Sequence, residues 1–266
     1  MAIIGVSGKI GAGKDLVGKI IQYLVNDSKW PFDDAVVSFD TFLGAGSTYQ
    51  NANWKIVKFA NKLKECVSLI LNIPREDLEK IEVKNSELPN DWCTVKFKAS
   101  NGEYYHFGTL DEIPTYNKHG YDVEKMTVRT LLQKFGTEVG RSIHSNFWVN
   151  ALFSEYKIIG TKINDDFKGH PYDALETEMK EVYPNWIITD MRFENELEAI
   201  KSREGITIRV NRGKWTGLEK EIIECNQHPS ETALDNATFD YVLDNNGTIE
   251  ELIVKVEEIL IKERIL

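Results

Sequence analysis

The first fifteen residues constrain the fold of this chain more than any other segment. An apolar run at residues 3–6 is followed by a glycine-rich turn, by Lys14, and by an amphipathic stretch. In a strand–turn–helix with G-x-x-x-x-G-K spacing, the turn's main-chain N–H groups point at phosphate oxygens and the lysine reaches the β- and γ-phosphates. We therefore predict a nucleotide-binding loop in an α/β domain. Its expected contact residues are Gly8, Lys9, Gly11, Ala12, Gly13, Lys14 and Asp15.

Asp15 stands where most such loops carry Ser or Thr, whose hydroxyl faces Mg²⁺. A carboxylate at this position makes Asp15 a candidate metal ligand, either directly or through water. The alternative is a plain glycine turn in which Lys14 is solvated and the charge of Asp15 favours the helix N-terminus. That alternative leaves the spacing of the glycines and the lysine unexplained.

Composition restricts the class of protein. With 266 residues and 42% hydrophobic content, the chain can bury a large core, and we predict one elaborated domain over 1–266. A net charge of −10 disfavours stable binding to nucleic acid or to a membrane surface, so an anionic ligand must meet a local basic cluster. Three widely spaced cysteines without C-x-x-C indicate reduced thiols and a cytoplasmic location, and no apolar run approaches the roughly 20 residues of a membrane span.

Short apolar runs separated by helical patterns predict a parallel five-stranded sheet with helices on both faces. A long excursion, about residues 40–185, separates the second run from the third. Within it, an insertion at about 81–125 contains a predicted β-hairpin formed by 92–98 and 104–107, and a polar stretch at about 160–185 is a candidate lid. The five predicted strands are 2–6, 35–39, 186–189, 206–210 and 239–243.

Asp190 comes directly after the apolar run 186–189, where enzymes with this type of loop keep an acid near Mg²⁺ or its waters. Capping of the following helix is the alternative. Arg192 begins the same helix, where an arginine is unfavourable unless an anion offsets it, and this favours a phosphate contact. Glu196 lies four residues further on and is a candidate partner for the Arg192 side chain.

A second polar pattern repeats every four residues, which on a helix keeps side chains along one stripe. Its arginines suit phosphates and its amide suits a base edge, although a merely solvated face is the alternative. The stripe is Arg129, Gln133, Thr137 and Arg141. The side expected to face the core is Val128, Leu132, Phe135, Val139 and Ile143.

Three further basic or aromatic features are candidates for the same ligands. Trp148 is placed to stack on a base or, equally, to fill the core. Lys64 is a basic candidate for an acceptor phosphate, and the pair Arg209 and Arg212 follows the fourth predicted strand.

Taken together, several blocks of this chain resemble the bacteriophage deoxynucleoside monophosphate kinases, over most of its length. Leu16 departs from the family pattern, where Thr is frequent. The resemblance implies a P-loop kinase fold that transfers the γ-phosphoryl group of ATP, with Mg²⁺, to a deoxynucleoside monophosphate (dNMP). The blocks are Gly8–Asp15, Phe59-Ala60-x-x-Leu63-Lys64, Arg129-x3-Gln133-x2-Gly136-Thr137-Glu138-x2-Arg141, Thr189-Asp190-x-Arg192-Phe193-x-Asn195-Glu196 and His228-x-Ser230-Glu231.

Under this hypothesis Lys14, Asp15, Asp190, Arg192 and Arg129 are catalytic, and Asp15 and Asp190 orient the metal. The acceptor site comprises Lys64, Arg129, Gln133, Thr137, Arg141, Trp148, Arg192 and Glu196.

Two other functions are compatible with the same motifs. One is a kinase of another phosphorylated metabolite, such as a dephospho-coenzyme. The other is an ATP-binding switch without a phosphoryl acceptor. The sequence leaves the oligomeric state open, with a homodimer among the options.

Overall fold

The computed structural model describes residues 3–26, 38–44, 54–92, 94–98, 104–107, 121–163, 179–213 and 229–266. The chain divides into two compact units. The first joins Met1–Phe59 to Val149–Leu266, and the second is Ala60–Trp148. The second unit therefore extends well beyond the predicted insertion at 81–125.

Ten strands are described. They are β1 (Ile3–Gly8), β2 (Trp54–Val57), β3 (Thr94–Lys98), β4 (Tyr104–Phe107), β5 (Tyr121–Glu124), β6 (Gly160–Ile163), β7 (Met179–Val182), β8 (Asn185–Met191), β9 (Ile206–Asn211) and β10 (Tyr241–Asp244).

The described helices are α1 (Lys14–Asn26), α2 (Phe39–Gly44), α3 (Ala60–Leu71), α4 (Ile81–Asn85), α5 (Val128–Lys134), α6 (Gly140–Ile143), α7 (Phe147–Phe153), α8 (Glu194–Lys201), α9 (Pro229–Thr232) and α10 (Ile249–Lys262). Two 3₁₀ turns, Asp77–Glu79 and Asn90–Trp92, and one π-helical turn, Phe135–Val139, complete the set.

The first unit contains a five-stranded sheet in the order β10-β9-β1-β8-β2, in which every neighbouring pair is parallel. This confirms the predicted five-stranded parallel sheet flanked by helices. The central strand β1 is buried along its whole length, and its alternate residues enter two cores. Ile4 packs in the cluster that includes α1 and α10, whereas Ile3 packs in the cluster that includes α8.

One of the five predicted strands, 35–39, is described only at its end, and that end is wrong. The part of 35–39 at residues 35–37 lies outside the described residues, and Phe39 begins helix α2 instead of ending a strand. The reason is local, because Ser38 accepts a hydrogen bond from the amide of Thr41 and so caps the helix. The fifth strand of the sheet is β2, a four-residue segment interrupted by the exposed Lys55.

The final helix follows its sequence signals. Thr248 accepts a hydrogen bond from the amide of Glu251, and the Glu251 carboxylate accepts one from the amide of Thr248. This is the capping box predicted from the Thr-x-x-Glu spacing.

The second unit contains a three-stranded antiparallel sheet in the order β4-β3-β5. Pairing of β3 with β4 confirms the predicted hairpin, and β5 adds a third strand on the other side of β3. Val67, Leu78, Leu88 and Val128 form the buried centre of this unit's described helical core.

The helix that carries the polar stripe is not uniform. Its α-helical turns are interrupted by the π-helical turn Phe135–Val139, which adds one residue and rotates the later turns of the helix by about 100°. Val128, which precedes the turn, is buried as predicted. Val139 and Ile143 were predicted to face the core, but after the rotation both are exposed. The buried position after the turn is Gly140, one residue beyond Val139.

Strands β6 and β7 form a separate two-stranded antiparallel ribbon in the first unit. The centre of the predicted lid, residues 164–178, lies outside the described residues. Within the described ranges, no helix combines the length and apolar character required to cross a bilayer.

Candidate active site

The predicted phosphate-binding loop connects β1 to α1 as expected. Gly11 and Gly13 have φ angles of 75° and 100°, in the left-handed region that glycine adopts without a steric penalty. The amide of Ala12 donates to the carbonyl of Lys9 at 3.1 Å and closes the turn. The loop leads directly into the N-terminus of a 13-residue helix. The first amides of a helix have no partner within the helix, and together with the helix dipole they favour binding of an anion.

Close packing explains the glycines at the two ends of the loop. A Cβ atom on Gly8 would lie 2.6 Å from the carbonyl oxygen of Val210, and one on Gly13 would lie 2.4 Å from the side-chain nitrogen of Asn245. Asn245 donates from that nitrogen to the carbonyl of Ala12 at 2.9 Å. This asparagine directly follows β10 and supports the loop from the carboxyl ends of the strands.

Lys14 folds back over the loop. Its Nζ donates to the carbonyls of Gly8 at 2.6 Å and Lys9 at 2.9 Å. Burial, together with the positive charge of Arg192, lowers the pKa of Lys14 from 10.5 to about 8, while the nearby carboxylates oppose the shift. The charge of Lys14 is therefore coupled to that of Arg192, which was also predicted to belong to the site.

Asp15 is held by two side chains. Thr189 donates its hydroxyl to Asp15 Oδ1 at 2.7 Å, and Lys58 Nζ lies 2.7 Å from the same oxygen. Burial alone raises the pKa of Asp15, but the hydrogen bonds from Lys58 and Thr189 outweigh burial and hold the pKa below its ordinary value. Neither partner was predicted from the sequence as a site residue; Thr189 stands only within the family block that begins Thr189-Asp190.

Asp190 lies at the end of β8 and accepts a hydrogen bond from the amide of Phe59 at 2.9 Å. The following helix is capped instead by Glu196, whose carboxylate accepts from the amides of Arg192 and Phe193 at 2.7 and 3.2 Å. Glu196 is 3% exposed, so it caps the helix from a buried position.

The guanidinium group of Arg192 is paired with Glu231 and also donates to the carbonyl of Ser230 at 3.4 Å. Glu231 in turn accepts a hydrogen bond from the amide of Ile10, within the phosphate-binding loop, at 2.9 Å. Sequence reasoning did not place Glu231 in the site. The signal that could have found it is its position in the block His228-x-Ser230-Glu231.

A second network braces the outer side of the loop. Asp235 accepts from Lys9 Nζ at 2.9 Å and from Arg209 at 3.1 Å, and Arg209 also donates to the hydroxyl of Ser7 at 3.1 Å. Arg209 lies within β9, not after the strand as predicted, and it is bonded to the flank of the loop.

Of the eight predicted acceptor residues, Arg192 and Glu196 lie in the first unit and the other six lie in the second. Arg129 donates to Asn85 at 3.0 Å, Gln133 is exposed, and Thr137 and Arg141 are half-buried. The π-helical turn separates the first two from Arg141, so the four residues do not follow the single α-helical stripe that the spacing predicted.

Trp148 is 5% exposed, and its indole N–H donates to the carbonyl of Gly136 at 2.7 Å. Its ring packs against Phe135, Phe147 and Gly140, which favours the core alternative over base stacking.

Lys64 is paired with Glu79, whose two oxygens lie 2.7 and 2.8 Å from its Nζ. Arg75 donates to the same carboxylate at 2.8 Å. Burial acts to raise the pKa of Glu79, but these two cations lower it to about 2. Lys64 therefore shares the carboxylate of Glu79 with Arg75.

The described residues contain no group of three or more His, Cys, Asp or Glu side chains that could hold a metal ion. Mg²⁺ in phosphoryl-transfer sites is commonly bound by one or two carboxylates together with substrate phosphates and water. Asp15 at the head of α1 and Asp190 at the end of β8 meet that smaller requirement. Cys66 is a free thiol, as predicted for it, and the other two cysteines lie outside the described residues.

Comparison with known proteins agrees with this geometry. A family model for deoxynucleotide monophosphate kinase matches residues 2–256. A protein of Acanthamoeba polyphaga mimivirus, provisionally named a deoxynucleotide monophosphate kinase, is 35% identical over 160 residues, covering 60% of this chain and 72% of that protein. The deoxynucleotide monophosphate kinase of Escherichia phage RB69 is 26% identical over 135 residues, covering 50% of this chain and 45% of the phage protein. The chain therefore belongs to the deoxynucleotide monophosphate kinase family of enzymes.

Proposed function

We propose that this enzyme transfers the γ-phosphoryl group of ATP to a dNMP and releases ADP and the corresponding diphosphate. The observation that carries the proposal is the loop between β1 and α1, with Lys14 folded over it and Asp15, Asp190 and Arg192 acting on the charge of that lysine. Membership of the family supports the choice of acceptor.

The residues of the first unit suit a reaction that needs positioning and charge neutralisation. The acceptor phosphate has a second pKa near 6 and is mostly ionised at neutral pH, so no strong general base is required. The loop amides and Lys14 hold the ATP phosphates, and Asp15 and Asp190 are the residues that would hold Mg²⁺. When bound, Mg²⁺ supplies positive charge between the phosphates. Arg192 stabilises the negative charge of the transferring group.

The acceptor contacts in this proposal are residues predicted from the sequence. Arg129, Arg141 and Lys64 are the cations for the acceptor phosphate, and Gln133 and Thr137 are the polar groups for base and sugar. Trp148 is left out of base stacking because its ring is packed in the core. Closure of the segment at about 160–185 would exclude water and suppress hydrolysis of ATP.

The test is ADP release with ATP and Mg²⁺ against the four dNMPs, their ribose counterparts and dephospho-coenzyme A. We expect ADP only when a monophosphate acceptor is added, with the deoxy acceptors preferred. Turnover with dephospho-coenzyme A alone would favour another metabolite kinase. ADP formation that no acceptor stimulates would contradict the proposal and favour an ATP-binding switch.

A further inference from the structure

Glu231 is a deeply buried carboxylate in an ion pair, with only 2% of its side chain exposed. It lies in the short helix α9, 221 residues from its partner in the phosphate-binding loop. A buried carboxylate is costly unless its oxygens are paired and hydrogen-bonded. Both oxygens of Glu231 have such partners, since Oε1 is paired with Arg192 and Oε2 accepts from the amide of Ile10.

These two partners belong to different parts of the site. Ile10 is inside the phosphate-binding loop, whereas Arg192 follows the end of β8. One carboxylate therefore links the main chain of the loop to the arginine that acts on Lys14. A guanidinium group is a planar fork of donors, so a fixed partner on one edge restricts the orientation of the whole group.

The other carboxylate that braces the loop offers a contrast. Asp235 contacts Lys9 and Arg209, but 36% of its side chain is exposed. Solvent weakens exposed ion pairs, and their measured contributions are small. Glu231 is screened much less, so its hold on Arg192 is the stronger constraint on the site.

We propose that Glu231 is a positioning residue for phosphoryl transfer, which fixes the Arg192 guanidinium group relative to the phosphate-binding loop. The inference rests on the proposed role of Arg192 in transfer. It assigns no contact between Glu231 and either substrate, so Glu231 acts through Arg192 alone.

The test uses four variants of the full chain: Glu231→Gln, Arg192→Met, the double variant, and Glu198→Gln as control. Glu198 is an exposed carboxylate on α8, so its substitution makes the same change of charge away from the site. Each variant is assayed for kcat, for KM of ATP and dNMP, and for its melting temperature.

For Glu231→Gln we expect kcat to fall on the order of 100-fold, the size of effect seen when a reacting group is misplaced by about 1 Å. The KM for ATP should change less than about threefold, because the glutamine oxygen still accepts from the amide of Ile10. Glu198→Gln should match the wild type. A purely structural role would instead lower the melting temperature and leave kcat of the folded fraction unchanged, and that result would overturn the inference.

The double variant makes the test independent of whether Glu231→Gln folds. If Glu231 acts only through Arg192, the double variant should have the kcat of Arg192→Met, and removal of both partners of this ion pair should let it melt above Arg192→Met, which leaves the buried Glu231 charge without its arginine. A further loss of kcat in the double variant would refute the inference.

The proposed role of Arg192 fails separately. If Arg192→Met has the wild-type kcat, Arg192 has no role in transfer. If Arg192→Met has a lowered kcat while Glu231→Gln has the wild-type kcat, only the inference about Glu231 is overturned.

Discussion

The phosphate-binding loop and the helix that carries the polar stripe were both predicted from residue spacing, and only the loop has the predicted geometry throughout. The loop lies between β1 and α1, and its shape depends on local glycine conformations and on contacts to main-chain atoms. The stripe depends on helical phase accumulated over residues 129–141. One π-helical turn changes that phase, and exposed Val139 is the result.

Residue spacing predicts a short turn more reliably than it predicts which face of a long helix is buried. A motif that closes on itself within one turn is insensitive to irregularities elsewhere. A prediction from helical periodicity fails beyond any point where the helix gains a residue. The sequence Phe-Gly-Thr-Glu-Val gives no sign of the π-helical turn that it forms. Substitutions in the loop and in the striped helix should therefore differ in both kind and size of effect.

The largest effect is expected in the loop, from Lys14→Ala. Removal of the ammonium group that reaches the transferring phosphates should lower kcat by about 10²–10³-fold. The fold should survive, because the hydrogen bonds of Lys14 go to two loop carbonyls that water can solvate. ADP release and circular dichroism measure the two outcomes, and near-normal turnover would refute the phosphate role of Lys14.

A matched pair of glycine substitutions tests why the loop keeps its shape. Gly13→Ala adds a Cβ atom 2.4 Å from Asn245, at a φ of 100°, and should weaken ATP binding by about 100-fold. A Cβ atom on Gly11 meets nothing within 4 Å, so Gly11→Ala adds only the strain of its φ angle, about 1–2 kcal/mol, and should weaken ATP binding less than Gly13→Ala does.

Calorimetric titration with ATP compares these two glycine variants. Equal losses of affinity would show that contact with Asn245 does not set the loop conformation.

The lowered pKa of Lys14 predicts a pH dependence of ATP affinity. Lys14 is charged below about pH 8 and loses its proton above it, so affinity should fall by up to tenfold per pH unit above that value. The bound polyanion favours the charged lysine and moves the transition upward in the complex. Lys14→Ala is the control, since it should bind weakly at every pH. A wild-type affinity that stays constant to about pH 10 would contradict the assignment.

The smallest effect is expected on the exposed side of the striped helix. Val139→Ala should change the free energy of unfolding by less than about 0.5 kcal/mol, because its side chain is 44% exposed. Val128→Ala makes the same chemical change at a fully buried site and should cost about 2 kcal/mol. Urea denaturation provides both values. A larger loss of unfolding free energy for Val139→Ala than for Val128→Ala would instead support the uninterrupted helix predicted from the sequence.

Patterns that are local and strongly periodic were predictable from the sequence. The strand–turn–helix formed by β1 and α1, the β3–β4 hairpin and the capped helix α10 each depend on a few adjacent residues. Strand β2 was not predictable in this way, because four residues with a charge among them resemble many loops. Phe39 was misassigned because the capping hydroxyl of Ser38 favours a helix that the apolar run conceals.

The site shows the same limit. Four site residues were predictable because each lies at or next to the end of a strand or the start of a helix. They are Lys14, Asp15, Asp190 and Arg192. Glu231 and Asn245 contact the loop only through the tertiary fold, at separations of 221 and 233 residues. No spacing rule extends over such distances. The family block that contains Glu231 is the one sequence signal for that residue, whereas Asn245 is found only from the tertiary contacts.

The central position of β1 has a consequence for synthesis on the ribosome. The strand is made long before its neighbours β8 and β9, and its Ser7 bonds to a residue 202 positions later. At about 5–20 residues per second, translation leaves this apolar strand without its neighbours for about 10–40 s. The strand therefore lacks its sheet partners for most of synthesis, and the nucleotide pocket acquires its walls only after β8 and β9 are made.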